Sequence, residues 1–259
     1  MKRGIKHKSL FAILTLSFLF FLVSLSNVNA VDIDDCATLS TPNEIYTLNQ
    51  SVSSSVTCFT IDANNITLDC DGFNITGASY NNYGVYFNGR TDTKVRNCVI
   101  SSFFFGIYGF SSSNNGIYTN NTMNDNDNGF YIGGSDNNTF VNNTVSNNRA
   151  RGFYISNSDN NRFTNNTGNS NGLGTFYLVN AQNNTFINNT ITGGGFHIQT
   201  IYSDYSYYRH DIDSTNTVNG KPARYYDDIN LACPNDTVLD LESNYSFIGF
   251  LGCNNVTLE

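Results

Sequence analysis

The chain has 259 residues and a formal net charge of −8, with 39% hydrophobic, 14% aromatic and only 13% charged residues. Asn alone fills 43 positions. So acidic a chain, with few clustered Lys and Arg, argues against a nucleic-acid partner, because phosphate binding needs a basic patch. Its 16 Tyr and 20 Phe exclude a disordered chain.

In chain order, residues 1–30 read as a signal peptide. Lys2, Arg3, Lys6 and Lys8 precede an apolar run from Leu10 to Leu25, and Val28-Asn29-Ala30 offers a small-residue cleavage site. An uncleaved membrane anchor is the rival reading. Without this segment nine basic and 21 acidic residues remain, a net charge of −12. A secreted or cell-surface location follows, where disulfides persist. The cysteines are Cys36, Cys58, Cys70, Cys98, Cys233 and Cys253, and consecutive pairs lie 22, 28 and 20 residues apart. Sequence alone does not fix their pairing. Free buried thiols and metal ligation stay open, although no Cys-x-x-Cys or clustered His is present.

Residues 31–57 are expected to cap the N-terminal end, with Tyr46-Thr47-Leu48 beginning an edge strand. Residues 58–200 carry a repeat of about 23 residues. Gly84-Val85-Tyr86-Phe87, Gly106-Ile107-Tyr108-Gly109, Gly129-Phe130-Tyr131-Ile132 and Gly152-Phe153-Tyr154-Ile155 are spaced 22, 23 and 23 apart. Thr175-Phe176-Tyr177-Leu178 and Gly195-Phe196-His197-Ile198 continue the series. Downstream in each unit, Asn121, Asn143, Asn166 and Asn189 precede Thr, and Cys98 holds the same phase one unit earlier.

Such a period, with short alternating segments and no 3.6-residue apolar pattern, predicts an all-β parallel β-helix. Coils stack about 4.8 Å apart, so like residues sit above like residues. Val85, Ile107, Phe130, Phe153 and Phe176 are expected to form one interior column. Val95, Ile117, Phe140, Phe163 and Phe186 form another. Asn121, Asn143, Asn166 and Asn189 form an amide ladder at a bend, satisfying backbone groups that the turn buries.

The Gly-(Ile/Phe)-Tyr-Ile units, followed by Asn-Asn-Thr-Phe-x-Asn-Asn-Thr, resemble right-handed parallel β-helix repeats of the NosD-like group. Asn64-Asn65-Ile66-Thr67-Leu68-Asp69-Cys70-Asp71-Gly72 is similar to the opening coil of such proteins from prokaryotic cell surfaces. Thr217-Val218-Asn219-Gly220-Lys221-Pro222-Ala223-Arg224-Tyr225-Tyr226 resembles a segment that interrupts their coils. The likeness covers most of residues 35–259 and speaks for fold rather than activity. It also implies copper handling. The residues give that little support, since His197 and His210 are the only His after the signal segment and Met123 the only Met. His210 with Asp211 and Asp213 reads as a solvated turn, and no cofactor or metal is expected.

Residues 201–230 break the period with a Tyr-rich run and then Asn219-Gly220, a two-residue hairpin signal, and are expected to leave the coils as an excursion from the solenoid. Residues 231–259 resume the coil. Asn254-Asn255-Val256-Thr257-Leu258-Glu259 echoes the opening coil, so a longer protein, cut within a repeat, is expected. Each consecutive cysteine pair spans about one coil and has the reach to staple adjacent rungs.

The candidate chemistry is sparse. Tyr86, Tyr108, Tyr131, Tyr154 and Tyr177 face outward once per coil, and His197 extends the line. They suit either sugar stacking or simple cross-strand packing, and packing is the simpler reading. Asp136 and Asp159 share a phase in adjacent coils, as a retaining glycosidase pair would, but both sit in turns where Asp bonds local backbone. Asp125 and Asp127, with Arg149 and Arg151 one coil later, are a second carboxylate cluster. Neither supplies the convergent acids of a Ca²⁺-dependent lyase. Twelve Asn-x-Ser/Thr sequons mark possible glycan acceptors, many produced by the ladder itself. The sequence thus predicts an exported β-helix with a structural, adhesive or carbohydrate-binding role, partnered by polysaccharide or cell-surface glycan. A polysaccharide lyase, epimerase or hydrolase with a groove along the coils is the alternative.

Overall fold

A three-residue strand cannot bury a face by itself, so each short apolar segment pairs with its equivalent one repeat later. The computed structural model describes residues 30–202, 205–227, 238–239, 247–251 and 257–258, and it is a parallel β-solenoid. Each coil runs through three sheets. Thr139–Val141 lies in a nine-stranded sheet, Thr144–Ser146 in a ten-stranded sheet and Arg151–Ser156 in an eight-stranded sheet. Arg162–Thr164 then returns to the first. Among the described residues the one helical element is a 3₁₀ turn, Tyr205–Tyr208.

The two ends differ from a simple stack. Strands within 31–57 already join all three sheets and supply their N-terminal edges. In the segment expected to leave the coils, His210–Ile212 joins the nine-stranded sheet and Thr217–Val218 the ten-stranded one. Asn219-Gly220 then turns the chain back, with φ of 52° and 79°. Positive φ at both central residues is what a type I′ hairpin requires. It makes the one antiparallel pairing among the described residues, Val218 with Lys221. Residues 1–29, and with them the signal-peptide reading, lie outside the described residues, as do Cys233 and Cys253.

The core is a set of registered columns. Val85, Ile107, Phe130, Phe153 and Phe176 stack in the eight-stranded sheet and are fully buried. Phe rings lie parallel along a column, as in Phe130–Phe153 at 4.9 Å and Phe140–Phe163 at 4.6 Å. They meet edge to face across columns, as in Phe130–Phe140 at 5.5 Å. Both are favoured aromatic geometries. Gly152, second in the Arg151–Ser156 strand, lies where a Cβ would fall 2.7 Å from Val145 Cγ2 and 2.8 Å from the Thr175 carbonyl. One coil on, Thr175 occupies the glycine position, and Gly168 stands in the facing column to make room for it.

One expected column member is displaced. The register pairs Ile117 with Lys94 and Thr139, so Ile117 faces outward at 41% exposure. Tyr118 takes the interior place between Val95 and Phe140. The corner decides this: the inward residue sits three before each ladder Asn, as Phe140 does before Asn143 and Tyr118 before Asn121. Tyr118 stacks on Phe140 at 4.7 Å, but its hydroxyl is buried with no hydrogen-bond partner among the described residues. Burial alone pushes that phenol far above its ordinary pKa. A buried unpaired hydroxyl is costly, so Tyr118→Phe is expected to stabilise the protein by about 1–2 kcal/mol. Urea unfolding of the two proteins measures it, and an unchanged or lower midpoint would contradict the assignment.

The Asn excess resolves at the corners. Asn120, Asn142, Asn165 and Asn188 have φ between 54° and 56°, a left-handed conformation that Asn tolerates better than most residues. Each is followed by a buried ladder amide. Asn143 Oδ1 accepts from the Asn121 N–H and Asn121 Nδ2, both at 3.0 Å. Its Nδ2 donates to the Tyr118 carbonyl at 2.8 Å and to Asn166 Oδ1 at 3.0 Å. This ladder runs from the Cys98 N–H to Asn216. Further ladders, through Asn126, Asn148 and Asn171 and through Asn138, Asn161 and Asn184, line other corners. Ser113, Ser135 and Ser158 form a hydroxyl version.

Two disulfides staple adjacent coils at the N-terminal end. Cys36 pairs with Cys58 and Cys70 with Cys98, with Cα atoms 4.6 and 4.8 Å apart.

Candidate functional site

The outer face of the eight-stranded sheet carries an aromatic ridge. Strand alternation points Phe130 and Ile132 inward and Tyr131 outward. Parallel register then places Tyr86, Tyr108, Tyr131, Tyr154, Tyr177 and His197 in one line. The Tyr side chains are half-buried. Tyr108 and Tyr131 stack at 4.8 Å, Tyr86 and Tyr108 at 5.8 Å, and Tyr83 wedges against both Tyr86 and Tyr108. Stacking covers ring faces, and the Tyr131 ring and hydroxyl lie over Gly133, with the hydroxyl bonded to Ser156. Phe104 and Phe110, at 39% and 42% exposure, extend the apolar border.

The ridge changes character at Tyr154. Its ring stands perpendicular to Tyr131 and Tyr177. The Arg151 guanidinium lies over the Tyr154 and Tyr177 rings, 4.3 and 4.2 Å from their centroids. His197 stacks on Tyr177 at 4.3 Å. Arg149 lies over Tyr80 at 5.1 Å, at the border where Asp127 faces it at 4.0 Å. These cation–π contacts fix the cations on the aromatic surface.

Burial, and then the neighbouring Tyr131, Tyr83 and Tyr86, push Tyr108 from 10.0 to about 12. Burial likewise raises Tyr131. A phenol whose pKa is higher in the folded state holds its proton longer there than in the unfolded chain. Its contribution to stability is complete below pH 10 and is lost as pH rises through about 12. Thermal melts across this window are expected to show falling stability, with less of it lost in Tyr108→Phe. An identical pH profile for the two proteins would contradict the shift.

The carboxylates of Asp136 and Asp159 each hold a backbone N–H of the next coil. Asp136 Oδ1 accepts the Asp159 N–H at 2.7 Å, and Asp159 accepts from the N–H and side-chain amide of Gln182. They continue a turn ladder that begins with Asn114 accepting the Asp136 N–H. Asp125 occupies a left-handed corner with φ 53°, and Asp127 accepts from Asn128 Nδ2.

Metal donors are also scattered. His210 points inward and receives the Asn184 N–H on Nδ1, while Asp211 on the same strand points outward. Asp213 is held by Thr215 and Asn216. Met123 is fully buried in the ten-stranded sheet's column, and the four described cysteines are in disulfides. Among the described residues no cluster of three or more His, Cys, Asp or Glu has a geometry fit to hold an ion.

Two solved structures match the chain, and the first is similar to it in fold. Alginate lyase from Paenibacillus sp. str. FPU-7 is 14% identical, with 89% of this chain and 99% of that chain covered and a TM-score of 0.51. The Azotobacter vinelandii mannuronan C-5 epimerase AlgE4 A-module is 11% identical, with 89% and 78% covered and a TM-score of 0.43. No curated protein matches the sequence at a significant level. A family model described as periplasmic copper-binding protein (NosD) matches residues 26–224. That span holds the ladders, the ridge and both described disulfides, and by it the chain belongs to the NosD family.

Proposed function

We propose that this protein is an exported β-helix that binds polysaccharide along its outer face without turning it over. The observation that carries the reading is the aromatic ridge, an unbroken line of Tyr from coil to coil with exposed Phe104 and Phe110 beside it. A polymer of sugars presents alternating apolar C–H faces and hydroxyls. Ring edges and neutral phenol hydroxyls in a row match both. The acids that would do lyase or hydrolase chemistry are instead spent on turns, where Asp136 and Asp159 hold backbone N–H groups.

The family's description names copper. The described His, Met and Cys residues face different sheets or are already bonded, so they do not fit a copper site.

Affinity gel electrophoresis against neutral and acidic polysaccharides tests the reading. At least one polysaccharide is expected to retard the wild-type protein. Phe110→Ser, at an exposed site, and Tyr131→Ser are expected to weaken that binding by about tenfold, the equivalent of 1.4 kcal/mol. Equal retardation of wild type and variants, or none at all, would overturn the proposal. Circular dichroism of each variant separates loss of binding from loss of fold.

A further inference from the structure

The outer face of the nine-stranded sheet has a different chemistry from the ridge. Between the Lys94–Arg96 and Asn184–Ile187 strands, its outward positions carry Lys94, Arg96 and Arg162 and no Asp or Glu. This is unexpected in a chain with 21 acidic residues against 13 basic ones. The same positions carry Ile117, Val141 and Ile187 among Thr residues, so the cations alternate with aliphatic side chains.

An open cleft of about 450 Å³ lies at the N-terminal part of this face, lined by Asp69, Lys94, Arg96, Asn97, Ile117 and Asn120. Its internal polar contacts leave cationic capacity free. Arg96 Nε pairs with Asp69 Oδ2 at 2.7 Å, and among the described residues its other guanidinium nitrogens have no partner. Lys94 Nζ donates to Asn65 Oδ1 at 2.8 Å, which uses one of its three donors. Asp69 also accepts from Asn97 Nδ2, and Asn97 Oδ1 accepts from Asn120 Nδ2. Burial raises the Asp69 carboxyl, but bonds from Asn97, the Asp71 N–H and Arg96 outweigh it and keep the group ionised. Asp69 thus orients Arg96 and leaves the guanidinium edge outward. Ile117, displaced from the core by Tyr118, forms the floor beside these cations at 41% exposure.

We propose that this cleft binds an acidic saccharide of the uronate type. A uronate carboxylate would meet Lys94 and the free edge of Arg96, and the apolar face of its ring would rest on Ile117. Guanidinium recognises carboxylate in a planar, two-bond geometry, which favours Arg96 as the main contact. Arg162 lies three strands further along the column of Lys94, about 14 Å away at the usual strand spacing. It would take a later carboxylate of the same chain, so the polymer would run along the solenoid axis. This site shares no residue with the ridge and does not depend on it.

Isothermal titration with a hexameric oligogalacturonate and its carboxyl-reduced neutral counterpart tests the proposal. The acidic oligomer is expected to bind, the neutral one to bind at least tenfold more weakly, and added NaCl to weaken the acidic complex. Lys94→Gln/Arg96→Gln is expected to cost at least tenfold and Ile117→Ser several-fold, with melting temperatures little changed at these outward-facing positions. Phe110→Ser on the ridge should leave this binding intact, so failure here and failure of the ridge reading are separable. Absence of oligogalacturonate binding, or binding unchanged in the double variant, would overturn the proposal. Displacement by equimolar sodium sulfate or phosphate would also overturn it, by marking a general anion site.

Discussion

Asn143→Ala is expected to destabilise the protein by about 4 kcal/mol. The side chain is 1% exposed and makes four hydrogen bonds, two as acceptor and two as donor. Asn121 Nδ2 and Asn166 Oδ1 keep other partners, on the Val95 carbonyl and the Asn143 N–H. The Asn121 N–H loses the acceptor it has at the corner, and the Tyr118 carbonyl loses its amide donor. The orphaned buried N–H costs about 1–3 kcal/mol, and the lost bond to the Tyr118 carbonyl and the cavity add to the sum. Asn143→Asp keeps the shape but supplies no donor toward Tyr118 and Asn166, so it should be nearly as damaging. The neighbouring Asn142 is the control. It is exposed and serves a left-handed φ of 55°. Asn142→Ala should cost about 1 kcal/mol, and Asn142→Gly almost nothing. Urea unfolding of the four variants reads the order directly. Equal effects at 142 and 143 would refute the ladder as the source of stability.

Cys70→Ala/Cys98→Ala is expected to lower stability by about 3 kcal/mol, from the loss of a cross-link closing a 28-residue loop. The bond ties one coil to the next where the amide ladder begins, since the Cys98 N–H is the first donor to Asn121. Below it the rungs have no ladder Asn in that phase, and the covalent staple takes its place. Cys36–Cys58 closes a similar loop of 22 residues but sits in the terminal coil. An end coil contacts a neighbour on one side only, so its removal should cost less and show as fraying. Midpoints in urea, with and without reductant, measure both. A double variant at positions 70 and 98 as stable as the wild type would contradict this account.

The repeat made most of this architecture legible. Gly-x-Tyr-x units and Asn-Asn-Thr units recur at 22 or 23 residues, and in a stacked solenoid recurrence is register. At Ile117 hydrophobicity and position disagree, and position decides which side chain turns inward. Counting three back from Asn121, as from Asn143 to Phe140, points to Tyr118. The Asn138 and Asn148 ladders and the Ser135 ladder recur with the same period and were legible by the same count. Their positions looked like ordinary turns because polar residues in turns need no burial to explain them. The functional faces were harder to read. The Tyr line showed in sequence, but the clamp of Arg151 between Tyr154 and Tyr177 depends on side-chain direction. The cationic face depends on which sheet each strand joins, and strand assignment followed only from the corners.

The central claim is that the outer surface holds a polysaccharide chain and leaves it intact. It is tested most directly by incubating the protein with size-defined acidic and neutral polysaccharides, then measuring both the bound fraction and the chain length. The account predicts a saturable bound fraction, with chain length, uronate stereochemistry and absorbance at the wavelength of unsaturated sugars unchanged. Shortened, unsaturated or epimerised chains, formed by wild type and lost in Asp127→Asn or Asp136→Asn, would contradict it.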